Sequence, residues 1–389
     1  MSEEARPSLW KVPLAEVRLG PEEVEAVAGV LRSGWLSMGP VTERFEEACA
    51  RFFGVRHALA VASGTAALHL ACEVLGLGPG DEVLCPAFTF VASANAILYT
   101  GARPVFVDLQ GPHDLNLSVA DAAAKVTART RAIMSVHYGG YPADLDGLQG
   151  LARDRGLRII EDCAHAPGAV YQSREGPRLV GTLGDLGCFS FFANKNLTTG
   201  EGGLVITNGD ELAGRIRTAR SHGMTVLSWD RYRGHSFSYD VVARGFNYRL
   251  DEMRAALGLV QLKRLPAANA ARRRLTRAYQ ERLKDLEHLE LPFLAAPEGA
   301  AHHLFPILLQ DPARRPAFMA ALARQGVQTS IHYPPVPSFS YHRGLWPDYP
   351  QGLPQTEAAA AREVTLPLFP GMTPEQLELV VKAVKEAGA

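Results

Sequence analysis

A lysine lies between two apolar runs in the stretch GCFSFFANKNLTTGEGGLVIT, which covers residues 187–207. The first run ends near Phe192 and the second begins at Gly203, so Lys195 falls in a polar, glycine-rich turn between two predicted strands. A lysine is rarely buried unless its charge is paired or removed. An imine formed with an aldehyde removes the charge, and a lysine with a lowered pKa can form one and later carry protons. An exposed loop lysine is the alternative at this point.

Similar apolar runs alternate with helical patterns back to residue 57. Strands separated mostly by helices predict an α/β fold with a seven-stranded, mostly parallel sheet that is covered on both faces. In such sheets ligands bind outside the carboxyl ends of the strands, and the polar motifs of this sequence follow those ends. The predicted strands are residues 57–62, 82–85, 104–107, 131–136, 157–160, 187–192 and 203–207.

Two further polar motifs follow predicted strands. Ser63-Gly64-Thr65 follows the first strand and opens a helix, whose unpaired N–H groups and positive end suit a phosphate group. Asp162 and His165 follow the fifth strand, where an ionised aspartate could keep a pyridinium nitrogen protonated and the ring able to accept electrons. Ordinary helix or turn capping is the alternative for each motif.

The three motifs together are far more specific than any one of them. A phosphate cradle, a strand-end aspartate and a strand-end lysine are the three contacts that pyridoxal 5'-phosphate needs. We therefore predict a pyridoxal-phosphate enzyme in which Lys195 is the catalytic residue.

The composition excludes several other classes of protein. The 389 residues carry a formal net charge of -1, so no overall field draws the chain to nucleic acid or to anionic lipid. The sequence shows neither a signal peptide nor an apolar stretch of about 18 residues, and it contains no pattern typical of a metal site. We expect a cytoplasmic protein with reduced, buried cysteines at positions 49, 72, 85, 163 and 188.

The pattern changes after Arg249, where long helical stretches replace the alternation of strands and helices. We predict a large cofactor-binding domain over residues 1–250, which includes the N-terminal segment, and a smaller C-terminal α/β domain over residues 251–389. We expect the first long helix to be interrupted near Pro266 and its arginine cluster, Arg272–Arg274 with Arg277, to form a solvated face.

The sequence resembles the sugar-nucleotide aminotransferases of the DegT/DnrJ type, which have the aspartate-aminotransferase fold, also called fold type I. The resemblance runs from Leu31-Arg-Ser-Gly-Trp-Leu-Ser-Met-Gly-Pro40 through Gly80-Asp-Glu-Val83 and Val105-Phe-Val-Asp108 to Leu366-Pro-Leu-Phe-Pro370. It implies that Lys195 binds the cofactor as a Schiff base and that Asp162 pairs with the pyridinium nitrogen. It places His165 beside the ring, where many relatives have glutamine.

The same resemblance implies further cofactor contacts. Ser190, five residues before the lysine, matches the family's phosphate-binding serine, and Gly64 and Thr65 add contacts from the start of a helix. Phe90 matches the aromatic residue that stacks on the cofactor ring. Asn247 matches an asparagine that reaches across a dimer interface to the partner's cofactor phosphate, so the family pattern implies a homodimer with shared active sites.

Two segments resemble those that face the substrate, and they contain His137 with Tyr138 and His332 with Tyr333. The implied reaction transfers an amino group, with glutamate as the expected donor, to a keto group of a nucleotide-linked sugar. Three alternatives remain: an aminotransferase for a keto-inositol, a cofactor-dependent sugar dehydratase and a non-catalytic cofactor-binding regulator. The dehydratases of the family have histidine in place of the lysine, so Lys195 argues against that alternative.

Overall fold

The computed structural model describes residues 9–226, 232, 234, 238–295, 298–349 and 351–388. The strands, in chain order, are β1 (His57–Val61), β2 (Glu82–Pro86), β3 (Arg103–Val107), β4 (Leu109–Gly111), β5 (Asp114–Leu117), β6 (Thr130–Val136), β7 (Arg158–Asp162), β8 (Val170–Ser173), β9 (Gly176–Leu179), β10 (Leu186–Ser190), β11 (Gly203–Thr207), β12 (Leu289–Glu290), β13 (Phe305–Leu309) and β14 (Glu363–Leu366).

The α-helices, in chain order, are α1 (Pro21–Ser33), α2 (Pro40–Phe53), α3 (Gly64–Val74), α4 (Ala92–Tyr99), α5 (Val119–Ala124), α6 (Leu145–Arg155), α7 (Asp210–Ala219), α8 (Glu252–Leu283), α9 (Arg315–Arg324), α10 (Ser340–Arg343), α11 (Pro354–Arg362) and α12 (Pro374–Gly388). Several of these helices begin with a capping side chain or a proline. Ser63, for example, caps α3, because its hydroxyl accepts a hydrogen bond from the Ala66 N–H.

The predicted seven-stranded sheet is confirmed, with the order β1-β11-β10-β7-β6-β2-β3. The neighbours from β10 to β3 are parallel, and β11 runs antiparallel to both β1 and β10. Strands β7 and β10 are neighbours in register, with Cys188 opposite Asp162. Their carboxyl ends therefore bring Asp162 and Ser190 to the same edge of the sheet.

A smaller antiparallel sheet, in the order β12-β13-β14, lies in the C-terminal part of the chain. Its core is formed with helices α9 and α12, and it contains Ile307, Phe318, Val364 and Val380. Val12 belongs to this same core and pairs with Val327. The N-terminal segment, which we grouped with the first 250 residues, thus has a buried contact in the C-terminal part.

Helix α8 is continuous through Pro266, so the expected interruption is wrong. A proline inside a helix costs about 3 kcal/mol because it removes one hydrogen bond and crowds the preceding turn. Packing on both halves offsets this cost: Leu262 and Leu265 lie in one apolar core, and Tyr279 and Leu283 lie in the core of the smaller sheet.

The arginine cluster on α8 is also not uniformly solvated. The Arg272 side chain is buried and donates hydrogen bonds to the backbone oxygens of Leu368, at 2.8 Å, and His303, at 3.3 Å. Arg277 is exposed, as expected, and pairs with Glu298. Arg272 thereby ties α8 to two loops of the C-terminal part.

All five cysteines are buried and free, as predicted. Among the described residues, no helix combines the length and apolar character needed to cross a membrane.

Candidate active site

A cavity of about 380 Å³ lies at the carboxyl ends of β7 and β10. It brings together most of the residues that the sequence assigns to a site. The predicted residues that line it are Gly64, Thr65, Phe90, Asp162, His165, Ser190, Lys195, His332 and Tyr333.

One end of the cavity is formed by the start of α3 and the end of β10. Gly64 and Thr65 are the first residues of the helix, so their backbone N–H groups have no intrahelical partners. Gly64 packs directly on Ser190: a Cβ atom at position 64 would lie 2.7 Å from the Ser190 Cβ. This close approach leaves two helix-start amides and a serine hydroxyl around one small space, which suits a phosphate group.

Asp162 is buried and firmly oriented. One of its carboxylate oxygens accepts a hydrogen bond from the Ser93 hydroxyl at 2.7 Å, and the other accepts one from the Ala164 N–H at 3.1 Å. Ser93 can donate only one proton, so the Thr89 hydroxyl, at 3.1 Å, donates to Ser93 in turn. Burial raises the pKa of Asp162, against the effect of these hydrogen bonds. A cationic ring nitrogen beside it would favour the ionised carboxylate.

Lys195 is the nucleophilic amine of the cavity. Burial lowers its pKa to about 8, and the nearby Asp162 opposes that shift. The Lys195 Nζ atom lies 3.4 Å from the Nε2 atom of His303. About a tenth of the Lys195 side chains therefore carry the neutral amine at pH 7, which is the form that attacks an aldehyde.

His165 and the aromatic rings of the cavity are linked. The His165 Nδ1 atom accepts a hydrogen bond from the Gly139 N–H at 3.3 Å, so in the neutral ring Nε2 carries the proton and donates it to the Tyr333 hydroxyl at 3.0 Å. Burial, with the nearby Lys195, holds the pKa of His165 well below its usual value. Phe90 is 55% exposed and lies 5.8 Å from the Tyr333 ring, so its face is open to a bound ring.

His332 reaches the cavity with support from two buried residues of β14. Its Nδ1 atom lies 2.9 Å from the Thr365 hydroxyl, which is hydrogen-bonded to the Glu363 carboxylate. Glu363 also accepts a hydrogen bond from the His332 backbone N–H at 2.8 Å. Burial raises the pKa of Glu363 to about 8 and lowers that of His332 to about 4.

His137 and Tyr138, which the sequence assigns to substrate contact, do not line this cavity. The side chains of His137 and Tyr138 are buried. The His137 ring is hydrogen-bonded to the Glu161 carboxylate at 3.2 Å, and it accepts a hydrogen bond from the Ala143 N–H at 3.1 Å. The Tyr138 hydroxyl donates to the backbone oxygen of His332. Both residues follow directly after the end of β6, where their side chains are buried in the protein.

Asn247 also lies outside this cavity. It lines a neighbouring cavity of about 500 Å³, which shares Ser63 and Thr65 with the first, and its backbone forms a bridge with Ser221. Within its own chain Asn247 thus stands near the start of α3 but not beside Lys195.

Comparison with known proteins identifies the fold and the class of enzyme. Residues 17–385 match the DegT/DnrJ/EryC1/StrS aminotransferase family. The chain belongs to this family. The expectation of a pyridoxal-phosphate-dependent transaminase of fold type I is therefore confirmed.

Relatives of this aminotransferase are similar over almost their whole lengths. It is 37% identical to the spore coat polysaccharide biosynthesis protein SpsC of Bacillus subtilis (strain 168), over 96% of both chains. Its structure is similar to that of Helicobacter pylori PseC, an aminotransferase involved in the biosynthesis of pseudoaminic acid, with a TM-score of 0.90, 30% identity and coverage of 97% and 98% of the two chains. The sugar aminotransferase CalS13 of Micromonospora echinospora gives a TM-score of 0.86 at 33% identity, with coverage of 96% and 99%.

Several residues of this aminotransferase's site are absent from the sequence-based set. Ser93 had a weak signal, as a polar residue in the apolar helix pattern that follows Phe90. His303 had a weak signal, because it is a polar residue next to a predicted buried strand, as Asp162 is. A lone histidine is usually structural, so this signal alone does not assign it to the site. Glu363 and Thr365 gave no signal, because their contact with His332 is formed only when two distant segments meet.

Proposed function

We propose that this aminotransferase moves an amino group from glutamate to a keto group of a nucleotide-linked sugar, using Lys195 as its proton carrier. The observation that carries the proposal is the convergence of Lys195, Asp162 and the start of α3 on one cavity. Each of these groups matches a different part of pyridoxal phosphate, and together they fix which way the cofactor would lie.

The residues present fit the cofactor. The amides of Gly64 and Thr65 and the Ser190 hydroxyl would hold its phosphate, since Gly64 leaves the space free that a side chain would fill. Asp162 would pair with the ring nitrogen, Phe90 would stack on the ring and His165 would lie beside it. When bound, pyridoxal phosphate supplies an electron sink that accepts the electron pair left when a proton leaves the amino-bearing carbon.

Lys195 moves that proton. With the cofactor bound, the neutral Lys195 amine would accept a proton from the amino-bearing carbon and return it to another atom. A pKa of about 8 suits both tasks near neutral pH, because acid and base forms are both populated. Positioned proton transfer of this kind accelerates reactions by roughly 10²–10⁴-fold.

The sugar substrate is supported by the relatives, since SpsC, PseC and CalS13 are named for sugar or polysaccharide biosynthesis. In this chain His332 and Tyr333 offer polar atoms to the cavity and are the residues we propose to contact the sugar. The positions of His137 and Tyr138 favour an indirect role, in which they support that wall from behind.

We also propose a homodimer with shared sites, in which Asn247 of the partner subunit completes the phosphate site. Its location near the start of α3, but outside its own chain's cavity, supports this assignment. The five free, buried cysteines support a reducing location, and we propose the cytoplasm.

The test combines a spectrum with a substrate panel. Purified protein with pyridoxal phosphate should show a visible absorbance band that glutamate bleaches, and Lys195→Ala should neither show the band nor turn over. The matched control is Lys385→Ala, which removes an exposed lysine and should behave as the wild type. The enzyme is then given glutamate together with nucleotide-linked keto sugars or a keto-inositol, and the aminated products are identified by mass spectrometry. Amination of the keto-inositol alone, or bleaching by another donor only, would contradict the proposal.

A further inference from the structure

His303 contacts Lys195, the proposed catalytic lysine. Its Nε2 atom lies 3.4 Å from the Lys195 Nζ, and the imidazole is 6% exposed. The residue lies just before β13, in the C-terminal part of the chain, whereas Lys195 lies between β10 and β11.

A series of side-chain amides determines which His303 nitrogen carries the proton. The Asn269 amide nitrogen donates to the Pro167 oxygen at 2.9 Å, so its amide oxygen faces Asn196. The Asn196 amide nitrogen donates to that oxygen at 2.9 Å and to the Ala301 oxygen at 2.8 Å. The Asn196 oxygen is therefore the atom that faces His303, at 3.0 Å from Nδ1.

An amide oxygen only accepts hydrogen bonds, so His303 Nδ1 must donate to it. In the neutral ring Nε2 then has a lone pair, and this lone pair faces the Lys195 amine. The reversed tautomer would place two lone pairs together at Asn196 and two donors together at Lys195.

The ring is also held in place and held neutral. The His303 backbone N–H donates to the Gly139 oxygen at 2.8 Å, and its backbone oxygen accepts from Arg272 at 3.3 Å. Burial, with the positive charges of Lys195 and Arg272 nearby, holds the pKa of His303 well below its usual value.

We propose that His303 is a positioning residue whose Nε2 atom accepts a hydrogen bond from Lys195 and holds the released amine in line for proton transfer. The inference rests on the proposed role of Lys195 as the proton carrier. The other titratable groups that face Lys195 are Asp162, His165 and His332. Among these four groups, His303 has the ring nitrogen nearest to the Lys195 amine, and a buried amide network fixes that nitrogen as a hydrogen-bond acceptor.

The first test measures the pKa of the Lys195 amine in the full-length protein without cofactor. The rate of Lys195 modification by trinitrobenzenesulfonate, followed by peptide mass spectrometry across pH, gives the pKa of that amine. We expect His303→Leu to lower this pKa by roughly one unit, because the ammonium form loses its acceptor. His303→Gln should restore the wild-type pKa, because its amide oxygen can accept at the position of Nε2.

The matched control is His302→Asn, which changes the neighbouring residue, whose ring bonds to Tyr141 and not to Lys195. Asparagine also tolerates the positive φ of 49° at that position. We expect no shift in the pKa of Lys195. An unchanged pKa in His303→Leu, or equal shifts in both variants, would overturn the inference.

A second measurement is made on the wild-type protein and uses a variant only to assign the signals. Nitrogen-15 NMR of the histidine rings, assigned with His303→Gln, should show Nδ1 of His303 protonated and Nε2 unprotonated in the wild type, and the opposite tautomer would overturn the inference.

In turnover, His303→Leu should lower kcat by roughly 10-fold or more with KM nearly unchanged, as expected when proton transfer is impaired. If the NMR and labelling results hold but no sugar is aminated, the proposed function fails while the contact between His303 and Lys195 stands.

Discussion

Asp162 has a pKa that burial raises, although its proposed role beside the ring nitrogen of the cofactor requires a negative charge. The cofactor would remove this conflict between a raised pKa and a required charge, because a protonated ring nitrogen favours the ionised carboxylate. Hydrogen bonds from Ser93 and Ala164 favour the ionised form further. The bound cofactor and the carboxylate thus stabilise each other's charged forms.

We expect Asp162→Asn to bind pyridoxal phosphate but to lose activity by roughly 10²-fold or more, because a neutral amide does not hold the proton on the ring nitrogen. The measurements are cofactor titration and steady-state rates. Asp154→Asn, on the exposed face of α6, is the control and should keep full activity. Normal turnover in Asp162→Asn would mean that Asp162 only caps the turn that follows it.

At the scale of elements, α3 and β10 meet in a tightly packed junction at Gly64 and Ser190. We expect Gly64→Ala to weaken pyridoxal-phosphate binding by roughly 10-fold, because the added methyl group meets Ser190 and forces the phosphate site apart. The dissociation constant follows from fluorescence titration of the cofactor-free protein.

Gly150→Ala provides the control for this helix-start substitution. A Cβ atom at position 150, inside α6, meets no atom within 4 Å, so alanine should leave binding unchanged and stabilise the helix by roughly 0.5–1 kcal/mol. If both variants bind the cofactor equally well, the contact between Gly64 and Ser190 does not shape the phosphate site.

The elements that sequence predicts well are those with a repeated local signal. All seven strands of the large sheet are predicted to within a few residues, because apolar runs and turn residues mark each one. The motifs at their ends lead to Lys195, Asp162 and the start of α3. The short hairpins β4–β5 and β8–β9 are not predicted, since strands of three or four residues carry too little pattern.

The errors have a common physical origin in tertiary packing. The continuity of α8 through Pro266 and the burial of Arg272 depend on contacts made by both halves of the molecule. The burial of His137, which the sequence also does not reveal, is accompanied by a bond to Glu161, a residue of the neighbouring strand. Spacing along the chain contains no information about such contacts.

For the whole molecule, the first prediction concerns assembly. If Asn247 serves the partner's site, then mixing inactive Lys195→Ala subunits with Asn247→Ala subunits yields heterodimers in which one site carries both changes and the other carries neither. Random exchange should restore about a quarter of the wild-type activity, because half of the dimers are mixed and each has one intact site of two. Subunit exchange is verified by native mass spectrometry. No recovery after full exchange would place Asn247 outside the shared site.

Stability should depend on the protonation of Glu363. Its folded pKa is raised to about 8, so the folded state holds a proton that the unfolded chain has released, and the free energy of unfolding falls as pH rises toward 8. Histidines with lowered pKa values act in the opposite direction below about pH 6.5, so the clearest window is pH 6.5–8.

We expect the wild type to lose up to about 2 kcal/mol relative to Glu363→Gln across that window, because glutamine does not titrate. Urea unfolding at several pH values measures the difference. Parallel curves for the two proteins would show that Glu363 is already ionised in the folded protein.

The contact of His332 with Thr365 and Glu363 bears on how the substrate range of this protein can be changed in the laboratory. A library that randomises position 332 alone would leave the buried Thr365 hydroxyl without one of its two partners, although the backbone N–H of residue 332 would still donate to Glu363, and most members should lose stability. Joint randomisation of positions 332 and 365 lets a new side chain and a new support arise together. Among the selected active clones, the residues at these two positions should therefore be statistically correlated.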